Sequence, residues 1–214
     1  MEIPSLKDYV YKYITESIQQ GKLKSNDKIN ESDIVNALNV SRTPVREALI
    51  QLEADGYLES YPRRGFFIKP ITEEEAKDLY AVIGQLDAFA AELAINRLNS
   101  QDLEKMEKLV ESMDKAISKQ NYRKYYELQI QFHNVYTLKS NNPVLINTLD
   151  RLKRRFIRQD YGSNNSAEFG EYLYSANLQH KRIVKLFKSK DIAKLKHLLT
   201  VDHWALYFAE LDSF

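Results

Sequence analysis

Glycine and proline, the residues that most constrain where a chain can turn, are crowded at the front of this one. Gly21, Gly56, Gly65, Pro4, Pro44, Pro62 and Pro70 fall within the first 70 residues of 214. From residue 71 onward only Gly84, Gly162, Gly170 and Pro143 remain. So few breaks exclude a β-sandwich, which needs a tight turn every ten residues or so. The chain therefore reads as two domains, 1–70 and 71–214, the first built of short punctuated elements and the second of long helices.

The remaining composition narrows the class. Hydrophobic residues make up 43% and charged residues 29%, the balance of a globular protein. No cysteine is present, which removes disulfides, thiolate catalysis and cysteine-based zinc sites. No run approaches the roughly 18 apolar residues that span a bilayer. Met1-Glu2-Ile3-Pro4-Ser5 lacks the basic-then-apolar profile of a signal peptide, so a cytoplasmic location is expected.

In the front domain, Leu6, Tyr9, Val10, Tyr13, Ile14 and Ile18 recur at helical spacing before Gly21. Asn30 is placed to cap a second helix carrying Ile34, Val35 and Leu38. A third helix, 42–55, gathers Val45, Ala48, Leu49 and Leu52 on one face and stops at Gly56. The period then changes. Residues 57–61 and 65–69 are short β-prone runs joined by Pro62-Arg63-Arg64, a hairpin. Three helices and a two-stranded ribbon make a winged helix-turn-helix.

That plan gives the polar residues a use. At 100° per residue, Arg42, Thr43 and Arg46 share one side of the third helix, about 100° from its apolar stripe. Packing the stripe leaves two guanidiniums and the hydroxyls of Ser41 and Thr43 projecting from the first turns, where a recognition helix meets base edges and phosphates. Ser41 also stands at the N-cap position. Arg64 and Gly65 occupy the tip of the wing. Residues 1–70 carry ten Lys+Arg and ten Asp+Glu, so DNA affinity has to come from placed cations rather than a general field.

The run Ser41-Arg42-Thr43-Pro44-Val45-Arg46-Glu47-Ala48-Leu49, with Leu52-Glu53-Ala54-Asp55-Gly56-Tyr57 and Arg64-Gly65, resembles the winged helix of the GntR transcription regulators. The resemblance implies that Ser41, Arg42, Thr43 and Arg46 contact the major groove, and that Arg64 and Gly65 enter the neighbouring minor groove. Ser32 stands where some relatives place a base-reading Arg.

Behind the front domain, Thr72-Glu73-Glu74-Glu75 opens a series of helical stripes at about 73–98, 101–119, 121–139, 143–161, 170–188 and 191–211. The result is an antiparallel, all-helical bundle of six or seven helices. Its segments at 86–94, 127–133 and 179–183 resemble the FCD ligand-binding domain of the FadR subfamily. That likeness implies a small organic acid as effector and a divalent metal (zinc, nickel or manganese) held by one Asp and three His.

Four histidines are available: His133, His180, His197 and His203. Gln129 and His133 stack one turn apart, and His180 and His203 sit on later helices, giving Gln129, His133, His180 and His203 as the candidate metal set. Gln129 occupies the place of the family's Asp. Asp202 stands at the expected place of the last His, with His203 one step beyond. Only one of the two can face a common site unless the helix is locally irregular. Hydrogen-bonded core histidines are the alternative. His197 points away and is expected on the surface.

The family likeness also calls for an Arg four residues before Asp87, where this chain has Ile83. Arg154, Arg155 and Arg158, on one helix face with Arg151, are then the candidates to bind an acid, and Tyr136 can offer a hydroxyl near His133. No HExxH string or paired carboxylate accompanies the histidines, so a metal-dependent hydrolase is disfavoured. The expectation is a DNA-binding transcription regulator with a small-molecule effector, homodimeric on a palindromic operator. A metal-responsive or constitutive DNA binder is the alternative.

Overall fold

The computed structural model describes residues 5–19, 22–155 and 167–205. Its contacts divide the chain near Glu73 into two compact units, with Lys153, Arg154 and Arg155 grouped with the first.

The first unit contains α1 (Leu6–Gln19), α2 (Glu31–Leu38), α3 (Arg42–Ala54) and the antiparallel strands β1 (Leu58–Tyr61) and β2 (Gly65–Ile68). Local chemistry sets each boundary. The Asn30 side chain accepts from the Ser32 N–H at the start of α2, and Asn39 closes α2 in the left-handed conformation, φ 51°. That turn swings the chain directly into α3. Val10, Ile14, Val45, Ala48, Leu49 and Leu52 are fully buried between α1 and α3, each large side chain contributing about 1.5–3 kcal/mol. Register pairs Leu58 with Ile68 and Tyr61 with Gly65, and an isolated bridge from Lys28 to Phe67 adds a short third edge.

The second unit is helical among the described residues: α4 (Glu73–Ala94), α5 (Ser100–Ser118), α6 (Tyr122–Lys139), α7 (Pro143–Arg154), α8 (Ala167–Ser189) and α9 (Ile192–His197). Helix α5 packs on both α6 and α8. Asn99 and Asp102 form a reciprocal capping box at the start of α5. Met106, Met113, Tyr125, Phe132, Tyr136 and Ile183 form the centre of the core.

The expected continuous helix over 191–211 is interrupted. α9 passes directly into a π-helical turn, Leu198–His203, closed by the Trp204 N–H on the Leu199 carbonyl, five residues back. A π turn inserts one extra residue into an α-helix and rotates everything after it. Gly84 on α4 makes room for this turn. A Cβ there would lie 3.2 Å from Trp204 Cβ and 3.4 Å from the Leu199 carbonyl oxygen. Residues 156–161 of the expected 143–161 helix, and 206–211 of the last, lie outside the described residues.

Candidate functional site

The face of α3 is built as the sequence implies. Pro44 and Val45 turn inward, while Ser41, Arg42, Thr43 and Arg46 are exposed. Ser41 has the extended N-cap backbone, but its side chain makes no capping hydrogen bond, so the hydroxyl is available to another acceptor or donor. Arg46 is anchored: its Nε donates to Glu31 Oε2 at 2.9 Å, linking α3 to the first turn of α2.

The wing is similarly organised. The Arg64 N–H bonds to the Tyr61 carbonyl, Arg63 carries φ 64° at the tip and Gly65 follows at φ 90°. Pro62 followed by a positive φ is the plan of a type II turn, in which Arg63 takes the place usually given to glycine. The Arg64 guanidinium lies 5.5 Å from the Tyr61 ring centre and 5.4 Å from that of Phe67. Those aromatic faces hold a cation on the tip.

In the second unit, His133 of α6, His180 of α8 and His203 of the π turn converge. His133 Nε2 is 3.4 Å from His180 Nε2 and 3.2 Å from His203 Nε2, and all three side chains are buried. The π turn resolves the register conflict between positions 202 and 203. His203 faces the cluster, and Asp202 is turned outward to Arg182 at 3.4 Å. His197 is exposed.

The far side of each ring fixes which nitrogen carries the proton. The Tyr136 hydroxyl donates its one proton to Asp87 Oδ2 at 2.6 Å, so it accepts from His133 Nδ1, also 2.6 Å away. Trp204 Nε1 donates to the same Asp87 oxygen at 3.0 Å, and His133 Nδ1 lies 3.2 Å from it. Asn177 uses its NH2 on the Val110 carbonyl and Asp114 Oδ1, which turns its oxygen to His180 Nδ1 at 3.2 Å. Gln179 gives its NH2 to the Asp202 carbonyl and offers its oxygen to His203 Nδ1 at 2.9 Å. In all three rings Nδ1 therefore meets an acceptor, and the three Nε2 atoms face one another.

Burial, reinforced by the charge and hydrogen bond of Asp87, pushes the Tyr136 phenol well above its ordinary pKa, so it remains a neutral donor. Asp87 itself is 0% exposed. The sequence reading used it only as a landmark, yet it is the hub of the cluster's support. Its signal was present: a carboxylate one turn after Ile83 and one turn before Ala91, on the apolar stripe of α4.

Gln129 lies one turn before His133 on α6, half-buried and with no side-chain hydrogen bond among the described residues. Tyr136 stands behind His133, on the side away from the converging nitrogens. The Arg155 guanidinium lies against Gly56 within the first unit, 3.0 Å from where a Cβ would stand. The Arg154 side chain and Arg158 lie outside the described residues.

Comparison with known proteins gives this geometry a family. Residues 6–68 match the model of the bacterial regulatory proteins of the gntR family, and residues 78–203 match the FCD domain. The chain belongs to the GntR family. An HTH-type transcriptional regulator of Bacillus subtilis (strain 168), YdhC, is 30% identical over 85% of this chain and 80% of its own length. McbR of Escherichia coli (strain K12), also an HTH-type transcriptional regulator, is 25% identical over 84% of this chain and 80% of its own. Among solved structures, E. coli McbR/YncC superposes with a TM-score of 0.78 at 23% identity, covering 96% of this chain and 99% of that one. A GntR regulator from Rhodococcus sp. RHA1 gives 0.72 at 23% identity over 97% of both chains. This GntR protein is thus a DNA-binding transcription regulator with a ligand-binding C-terminal domain, in a family that is not enzymatic.

Proposed function

We propose that this regulator carries a divalent metal on His133, His180 and His203, and that a small acid bound at the metal adjusts its hold on a palindromic operator. One observation carries the metal reading. Three buried imidazoles, each with its proton committed on the outer side, point electron pairs at a common place. Neutral core histidines would instead pair a donor with an acceptor. A cation answers the arrangement, and an outer oxygen behind each ring is how proteins orient metal-binding histidines.

Three nitrogen donors with no carboxylate among them suit zinc or nickel better than manganese. Gln129, one turn from His133, is placed to add a weak amide oxygen. Neutral ligands leave the ion's full charge for an incoming carboxylate. Arg154 and Arg158 become the candidate acid-binding cations only if metal is absent; Arg155 lies against Gly56 in the first unit.

On the DNA side, Ser41, Arg42, Thr43 and Arg46 would read the major groove while Arg64 and Gly65 reach the minor groove. One α3 covers too few base pairs for useful specificity, which favours two copies of the chain on dyad-related half-sites. A ligand can alter DNA affinity only through a differential preference for one arrangement of those two readers, and coupling of about 1–3 kcal/mol gives roughly 5–150-fold.

Selection of bound duplexes from a random pool, with and without zinc and a small dicarboxylate, tests this reading. A dyad-symmetric site whose affinity changes on addition of the acid supports it. Sites without symmetry, bound equally well by Arg42→Ala and Arg46→Ala, overturn it.

A further inference from the structure

Behind His180 lies a chain of groups that reaches the surface and that DNA reading does not use. Asn177, one turn earlier on α8, is 0% exposed and bridges two helices. Its NH2 donates to the Val110 carbonyl at 3.0 Å and to Asp114 Oδ1 at 2.8 Å, both on α5. Its oxygen faces His180 Nδ1 at 3.2 Å. The other oxygen of Asp114 receives Lys181 Nζ at 2.7 Å, in a pair whose two side chains are 34% and 43% exposed.

We infer that Asn177 and Asp114 are positioning residues for His180, a relay in which the Lys181–Asp114 ion pair fixes the Asn177 amide and the amide fixes the ring. The reasoning is one of donor and acceptor sense. An amide can flip, and the flipped form would present NH2 to His180 Nδ1, forcing that nitrogen to accept and placing the ring proton on Nε2. A proton on Nε2 removes the lone pair that the cluster shares. Asp114 blocks the flip because a carboxylate only accepts, and the Val110 carbonyl imposes the same sense. Lys181, on the other oxygen of Asp114, holds the carboxylate directed at the amide. The relay thus selects between two tautomers of a buried histidine from a residue that solvent can reach.

The consequence for metal affinity rests on the metal reading above; the consequence for the ring proton does not. Both are measurable on the full-length protein. Nitrogen-15 NMR of the imidazoles after chelator treatment reports the His180 tautomer, and competition for zinc against a chromophoric chelator reports affinity. Wild type is expected to show His180 protonated on Nδ1. Asn177→Leu is expected to lose that signature and to bind zinc roughly 10–100-fold more weakly, the usual effect of removing an outer partner. Asp114→Ala, at a position a third exposed, is expected to move both readouts the same way and serves if Asn177→Leu fails to fold.

Asp114→Asn separates donor and acceptor sense from bulk: it keeps the side chain's volume, but its NH2 can meet the oxygen of a flipped Asn177, so both readouts should move in the same direction as in Asp114→Ala. An unchanged tautomer in Asn177→Leu and Asp114→Ala overturns the relay. If wild type takes up no zinc, the metal reading fails and the NMR result alone decides the relay, for it or against it.

Discussion

His203 Nε2 stands 3.2 Å from His133 Nε2, while the neighbouring Asp202 carboxylate points the other way, to Arg182 at 3.4 Å. The extra residue of the π turn produces that exchange. His203, not Asp202, is accordingly the side chain placed to complete the proposed metal site. His203→Ala should weaken zinc binding by more than the roughly 10–100-fold of an outer partner, and Asp202→Ala by much less. Equal losses in a chelator competition would count against the π turn as the device that chooses between them.

Asp87 should matter to the fold even without metal. Its Oδ2 accepts from both Tyr136 and Trp204, tying α4 to α6 and to the π turn. Asp87→Leu leaves two buried donors unsatisfied, a cost of about 2–4 kcal/mol. Urea unfolding of the chelator-treated protein measures it, and a change of only a few tenths would show that the donors find other acceptors.

The two halves of the molecule differ in how much the sequence discloses. The winged helix is written in local signals: Asn30 at a cap, Gly56 after α3, and a period change at Tyr57. Each acts over a few residues, so each can be read singly. The histidine cluster depends on contacts between residues 24 to 117 apart, and only the three His announce themselves by type. Asn177 and Gln179 look like ordinary helix residues until the neighbouring helices show which groups they face. The π turn escaped because helical periodicity assumes 100° per residue, and nothing in Leu198-Leu199-Thr200-Val201-Asp202-His203 marks the departure. What hinted at it was the one-residue disagreement at position 203.

The aromatic pair under Arg64 should affect DNA binding without altering the count of phosphates neutralised. An exposed cation–π contact is worth about 0.5–1 kcal/mol, so Tyr61→Ala or Phe67→Leu should weaken binding about two- to fivefold. The slope of log affinity against log salt should stay at its wild-type value in both. Arg64→Ala should reduce that slope by roughly 0.9 if the guanidinium meets a phosphate. A slope change in the aromatic variants would mean that they do more than hold the arginine.

Asp102 should contribute to acid sensitivity. Its hydrogen bond to Lys139, then the Asn99 N–H and nearby lysine charges, hold its carboxyl below the ordinary value against an opposing effect of burial. A lowered folded pKa means the stabilisation is complete above the usual carboxylate range. It shrinks as the pH falls through that range and is gone below the lowered value. Asp102→Asn should therefore cost about 1 kcal/mol near neutrality, as loss of a helix cap does, and nothing in strong acid. Parallel stability curves for the two proteins across that range would remove Asp102 as a source.

The central claim is that the three converging nitrogens hold a metal. Elemental analysis of tag-free protein purified without chelator, counted per chain, addresses it most directly. The account predicts close to one equivalent of zinc or nickel in wild type and loss of it in His133→Ala and His180→Ala. Metal-free wild type that stays so after incubation with zinc and nickel salts would contradict it.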